Sequence, residues 1–133
     1  MDALSKLDPT VVAELRGISA RGSADLYTRL AGLFRTGSAD ALRHLHAALE
    51  SSALPAARAI CHRLKSSAAN VGALEFSRRV GQLERSCVEG DLAAACNLLE
   101  ALQAAHAPLL AELDEACQDA LTGTPSSAVA GRR

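Results

Sequence analysis

The chain has 133 residues, with 14 basic and 15 acidic side chains. That is the size of one domain, and it carries no polybasic footprint for nucleic acid or an anionic membrane surface. Ala and Leu supply 49 residues, while Val, Ile and Thr together supply 13, which excludes a β-sandwich, a barrel or a parallel sheet. Aromatic residues make up 2% with no Trp, so a stacking platform for single-stranded nucleic acid is excluded too. The longest apolar run falls far short of a membrane span. The opening stretch Met1 to Lys6 lacks the basic-then-apolar order of a signal peptide, so a cytoplasmic location is expected.

The first helix signal is Asp8-Pro9, a cap followed by a residue suited to the first helical position. Val12 and Leu15 share one side, and Gly17 is expected to stop this short helix. Ser23 is the next cap candidate. Leu26, Leu30, Leu33, Phe34, Leu42, Leu45 and Leu49 then follow helical spacing. Gly37-Ser38 interrupts them as either a break or a kink; without a break the helix spans about Ala24 to Glu50.

Ser51-Ser52 marks a boundary, and Pro55 falls in the first turn of the helix after it. The stripe of that helix is Ala53, Ala57, Ile60, Leu64, Ser67/Ala68 and Val71, and Gly72 takes the place of a left-handed cap. A fourth helix carries Phe76, Val80, Leu83 and Cys87 and ends at Gly90. Asp91 caps the last one, with Leu92, Cys96, Leu99, Leu102, Leu110, Leu113 and Cys117 as its stripe and Pro108 expected to kink it. Residues 1–121 are thus expected to form an all-α, up-and-down antiparallel four-helix bundle with a short leading helix. Residues 122–133 read as a disordered tail. The four cysteines, Cys61, Cys87, Cys96 and Cys117, form no Cys-x-x-Cys pair and read as reduced core residues rather than a zinc or disulfide framework. His106 is expected at the edge of the last stripe, with Gln103 as a hydrogen-bond partner.

The chemistry lies in the stretch from Ala59 to Ala73. On a helical wheel with Ile60 at zero, Leu64, Ser67 and Val71 fall within about 40°, while His62 falls at about 200°. Arg58, Lys65, Ser66 and Ala69 share that outer side. An exposed imidazole has a large neutral fraction near pH 7 and can attack an electrophile. Lys65, one turn on, can offset the charge of a phosphoryl group, and Ser66 and Ala69 leave room for a partner to approach. No Gly-rich phosphate loop or Walker-type lysine is present to bind a nucleotide.

His62, Leu64, Lys65, Ser67, Ala68, Val71, Gly72 and Ala73 resemble the core motif of the histidine-containing phosphotransfer (HPt) domains of multistep phosphorelays. The likeness continues through Leu83-Glu84 and Gly90-Asp91 and covers roughly residues 8–118. It implies transient phosphorylation of His62 and charge support from Lys65. It also implies receiver docking around Arg58, Ser66, Ala69 and Ala73, with Gly72 a structural cap. The partners implied are receiver domains of response regulators, including those of a hybrid sensor kinase. No cofactor is implied in this domain, because the Mg²⁺ that transfer requires sits in the receiver. A free-standing monomer and the end of a hybrid kinase both fit. Ser66 departs from the pattern, where the family usually has Gly.

Three other functions compete. The dimerisation and phosphoacceptor segment of a sensor kinase also places His on a bundle helix, but there an acidic residue usually follows, and here Arg63 does. A non-catalytic helical adaptor needs a wide exposed apolar stripe rather than His-x-x-Lys opposite a core. A di-iron bundle needs Glu-x-x-His, which does not occur in the chain. Arg58, Arg63, Arg78 and Arg79 are candidates for a basic rim, while His44 and His46 have no lysine three residues on.

Overall fold

The structure is a computed structural model that describes residues 3–21 and 26–122. A single 3-10 turn, Ala3–Ser5, precedes five helices: α1 Pro9–Arg21, α2 Leu26–Glu50, α3 Leu54–Asn70, α4 Leu74–Glu89 and α5 Leu92–Thr122. No strand occurs among the described residues. Helices α2 to α5 pack in a ring, each against its chain neighbours, with α5 closing on α2. The links from α2 to α5 are two or three residues long, so successive helices are antiparallel. Helix α1 lies against α2, and the 3-10 turn against α4 and α5.

Local signals set most boundaries. The Asp8 carboxylate accepts from the amides of Thr10 (2.9 Å) and Val11 (3.1 Å), capping α1. Asp91 does the same for α5 through Ala94, at 3.1 Å. Gly90 ends α4 in the left-handed region (φ 76°), and Gly72 turns the chain from α3 to α4 at φ 90°. Gly72 is also a junction. Its carbonyl accepts from the Asp8 amide at 2.7 Å, and a Cβ built on it would meet Val12 Cγ2 at 3.1 Å. The preceding carbonyl, on Val71, accepts from the Tyr27 hydroxyl at 3.1 Å.

All three aromatic side chains are spent inside: Tyr27, Phe34 and Phe76 are buried. Phe34 of α2 and Phe76 of α4 meet edge to face, centroids 6.2 Å apart, a contact worth about 0.5–1.5 kcal/mol beyond area burial. Small Ala57, Ala68 and Ala95, none of them exposed, let the helices approach closely around this pair.

Several expectations change. Helix α1 runs through Gly17 to Arg21, because an interior Gly costs only about 1 kcal/mol and ends nothing by itself. Helix α2 continues through Gly37, which is exposed with open space around it. Leu33 points outward, while Tyr27 holds the first core position of α2. The α5 stripe is Ala95, Leu99, Leu102, Ala105, Leu109 and Leu113, so Leu109 rather than Leu110 is fully buried and Cys96 is exposed. Helix α5 includes Thr122, and Pro108 lies inside it as expected. His106 bonds across the bundle to Ser38 Oγ of α2, at 2.7 Å, and Gln103 is exposed. The Ser23 cap and tail residues 123–133 lie outside the described residues.

Candidate functional site

Helix α3 buries Ala57, Cys61, Leu64 and Ala68, so its inward stripe is centred about one residue away from the Ile60 line. Ile60 is half-buried and Ser67 exposed. His62 directly follows the fully buried Cys61 and therefore turns out of the core, with its side chain 71% exposed. Helix α4 repeats the arrangement: Leu83 is fully buried, and Glu84 directly follows it.

The two helices bring three groups together. Glu84 Oε1 accepts from Lys65 Nζ at 2.7 Å, and Glu84 Oε2 lies 3.3 Å from His62 Nδ1. The carboxylate is only 15% exposed. The Lys65 ammonium bonded to it holds its carboxyl below the usual range, against the opposing effect of burial, and His62 adds to the lowering. An ionised carboxylate only accepts, so Nδ1 must be the donor. The neutral imidazole then carries its lone pair on Nε2, the nitrogen turned away from Glu84. Lys65 is itself braced: Ser77 Oγ of α4 donates to its carbonyl at 2.7 Å, and its stem passes Gly81, where a Cβ would stand 3.4 Å from Lys65 Cδ.

The Cys61 and Cys87 thiols do not compete with His62 as nucleophiles. Burial, with Cys87 and Glu84 nearby, pushes the Cys61 thiol up to about 12, and burial also raises Cys87. Among the described residues no three His, Cys, Asp or Glu side chains gather to hold a metal ion.

Around the imidazole opens a cleft of about 310 Å³ lined by Pro55, Arg58, Ala59, His62, Arg63 and Glu84. Arg58 and Ser66 are exposed and Ala69 half-buried on the same helix. Ala73 does not belong to this surface: it is fully buried where α4 begins, with its amide bonded to Ala68 O at 2.9 Å. Of the basic rim, Arg58 and Arg63 line the cleft, whereas Arg78 is held on α4 by Glu75. Glu84 is the residue that sequence reasoning did not assign to the site. Its available signal was its place one residue past a buried Leu on the neighbouring helix, as His62 stands one past Cys61.

A family model for the Hpt domain matches residues 29–122, and the chain belongs to that family. No curated protein and no solved structure matches the chain. Membership defines a histidine phosphotransfer module of two-component phosphorelays, a carrier of phosphoryl groups rather than a kinase, whose partners are receiver domains. No helix among the described residues is long and apolar enough to cross a membrane.

Proposed function

We propose that His62 is the phosphoacceptor, taking a phosphoryl group from the aspartyl phosphate of one receiver domain and passing it to the aspartate of another. The observation that carries this is the exposed imidazole whose Nδ1 faces a nearly buried, ionised Glu84. The Nε2 lone pair forms the N–P bond as the P–O bond to the receiver aspartate breaks, and the carboxylate leaves. The Nδ1 proton stays in place, so the ring becomes cationic as the bond forms. Glu84 is positioned to stabilise that cation, and it does so in the transition state as well as in the product. Transfer onward runs through the same steps in reverse.

Lys65 balances the Glu84 charge and holds the carboxylate at the ring. The outward face with Ser66 and Ala69 is the docking surface for the receiver, which brings its own Mg²⁺. The chain acts as a cytoplasmic monomer, either alone or as one module of a hybrid sensor kinase.

The test is to mix the chain with phosphorylated receiver domains. Wild type should gain label and His62→Gln none, with the helical circular dichroism of both unchanged. Label on His62→Gln at the wild-type rate overturns the assignment. Incubation with labelled ATP alone should give no label; strong labelling would indicate a kinase segment.

A further inference from the structure

We propose that Arg58, with Arg63 beside it, is the cation that holds the phosphoryl group once it is on His62. This rests on the phosphoacceptor reading above. The site as it stands has one negative and one fixed positive charge, Glu84 and Lys65, already bonded to each other. A bound phosphoryl group adds close to two negative charges. The ring cation formed with it faces Glu84, so neither partner of that carboxylate is free to meet the phosphoryl oxygens.

Direction points the same way. Side chains on a helix lean toward its N-terminus, so His62 leans over the turn that carries Arg58 and Ala59. Residues four apart on a helix have Cβ atoms about 5–6 Å apart, within easy reach of a guanidinium. Ala59 is small and exposed and leaves the floor of the cleft open. The cleft beside His62 is lined by Arg58 and Arg63, and Lys65 is not part of its wall.

Both arginines are available. Arg35, Arg43 and Arg78 are engaged with Asp114, Asp40 and Glu75. Among the described residues Arg58 and Arg63 have no ion pair or hydrogen bond. A guanidinium fork also matches two oxygens of a tetrahedral phosphoryl group better than an ammonium does.

A phosphoryl-holding residue and a docking residue differ in one measurable respect. Docking changes the rate of transfer but cancels from the equilibrium between phosphorylated receiver and phosphorylated chain. Holding the product shifts that equilibrium.

The experiment therefore reads the equilibrium ratio for wild type, Arg58→Ala, Arg58→Lys and the Arg58→Ala/Arg63→Ala pair. A second arm loads each chain with phosphoramidate and follows the phosphoryl ionisation by ³¹P NMR, with His62→Gln to subtract other histidines. Arg58→Ala should move the ratio about two- to fivefold toward the receiver, the worth of an exposed ion pair. It should raise the phosphoryl pKa by about 0.3–0.7, the same free energy read as a shift. The double variant should move both further, and Arg58→Lys should fall between. Unchanged ratio and unchanged ionisation in the double variant overturn the proposal and leave Lys65 to swing from Glu84 to the phosphoryl group. If His62→Gln, run beside wild type in the receiver arm and in the phosphoramidate arm, loads as wild type does in both, the phosphoacceptor reading itself fails.

Discussion

Glu84 shows how a single carboxylate makes two neighbours useful. It takes a proton donor from each of His62 and Lys65, and so fixes the tautomer of one and the position of the other. Replacing Glu84 with Ala should slow phosphoryl transfer about tenfold, the lower end of a charge-assisted hydrogen bond because the imidazole is exposed. The specific readout is ¹⁵N NMR of the His62 ring: the share of tautomer protonated on Nδ1 should fall in Glu84→Ala. A slow variant with an unchanged tautomer ratio would reduce Glu84 to a packing role. At this scale the sequence was legible where spacing alone decides the answer. His62 and Lys65 share a helix, and the wheel places them together. Glu84 is 22 residues from His62 and on another helix, so only packing brings it to the ring. Ala73 was misread for a related reason: in a turn the wheel no longer says which way a side chain points, and a small residue fits a core as well as a docking face.

Among the helices, three glycines written with the same letter have three different structural outcomes. Gly17 and Gly37 sit inside helices, and Gly72 turns between two. Neighbouring partners decide which. Gly72 has the left-handed φ, a bonded carbonyl and Val12 against it, whereas Gly37 has nothing within 4 Å. Gly37→Ala should therefore stabilise the fold by about 0.5–1 kcal/mol, seen as a higher urea midpoint. Gly72→Ala should destabilise it by about 1–3 kcal/mol, since the substitution is strained in φ and crowds Val12. Amide exchange should then quicken in α1, which docks on that turn through the Asp8 amide. A rise in stability for Gly72→Ala would contradict this junction. The α3 and α5 stripes were legible in most members, Ala57, Leu64, Ala68 and Val71 and then Leu99, Leu102 and Leu113, but Cys61 and Leu109 hold core places read as Ile60 and Leu110. Chains rich in Ala and Leu offer several near-equal lines of apolar residues, and only contact with the neighbouring helices selects one.

For the molecule as a whole, acid is the informative perturbation. His106 is held neutral in the interface between α5 and α2. Burial, and then the positive charge of Arg35, lower its pKa from the usual 6.5. Across that interface it meets Ser38, while Arg35 is engaged with Asp114 of α5. An unfolded chain takes up this proton near pH 6.5 and the folded chain only at lower pH, so stability falls as pH drops below about 6.5. Glu84 adds a later loss: its stabilisation is present above its ordinary 4.5 and disappears as pH falls through its lowered folded value. Urea unfolding between pH 7.5 and 5 should show the His106 limb, and His106→Gln should flatten it while wild type slopes. An equal slope in both would place the acid sensitivity elsewhere. The bundle was legible from composition and period, and the cross-bundle polar bonds were not, because Ser38 and His106 are 68 positions apart.

The burial of every aromatic side chain also determines what light can report about this protein. With no tryptophan and a single tyrosine, Tyr27, its ultraviolet absorption and emission beyond the phenylalanine band come from one fully buried ring hydrogen-bonded to the turn at Val71. That signal follows unfolding of the bundle and is blind to its surface. A tryptophan-bearing receiver could be titrated with this chain and watched against a nearly dark background, so that each arrival and departure at His62 is read from the partner alone.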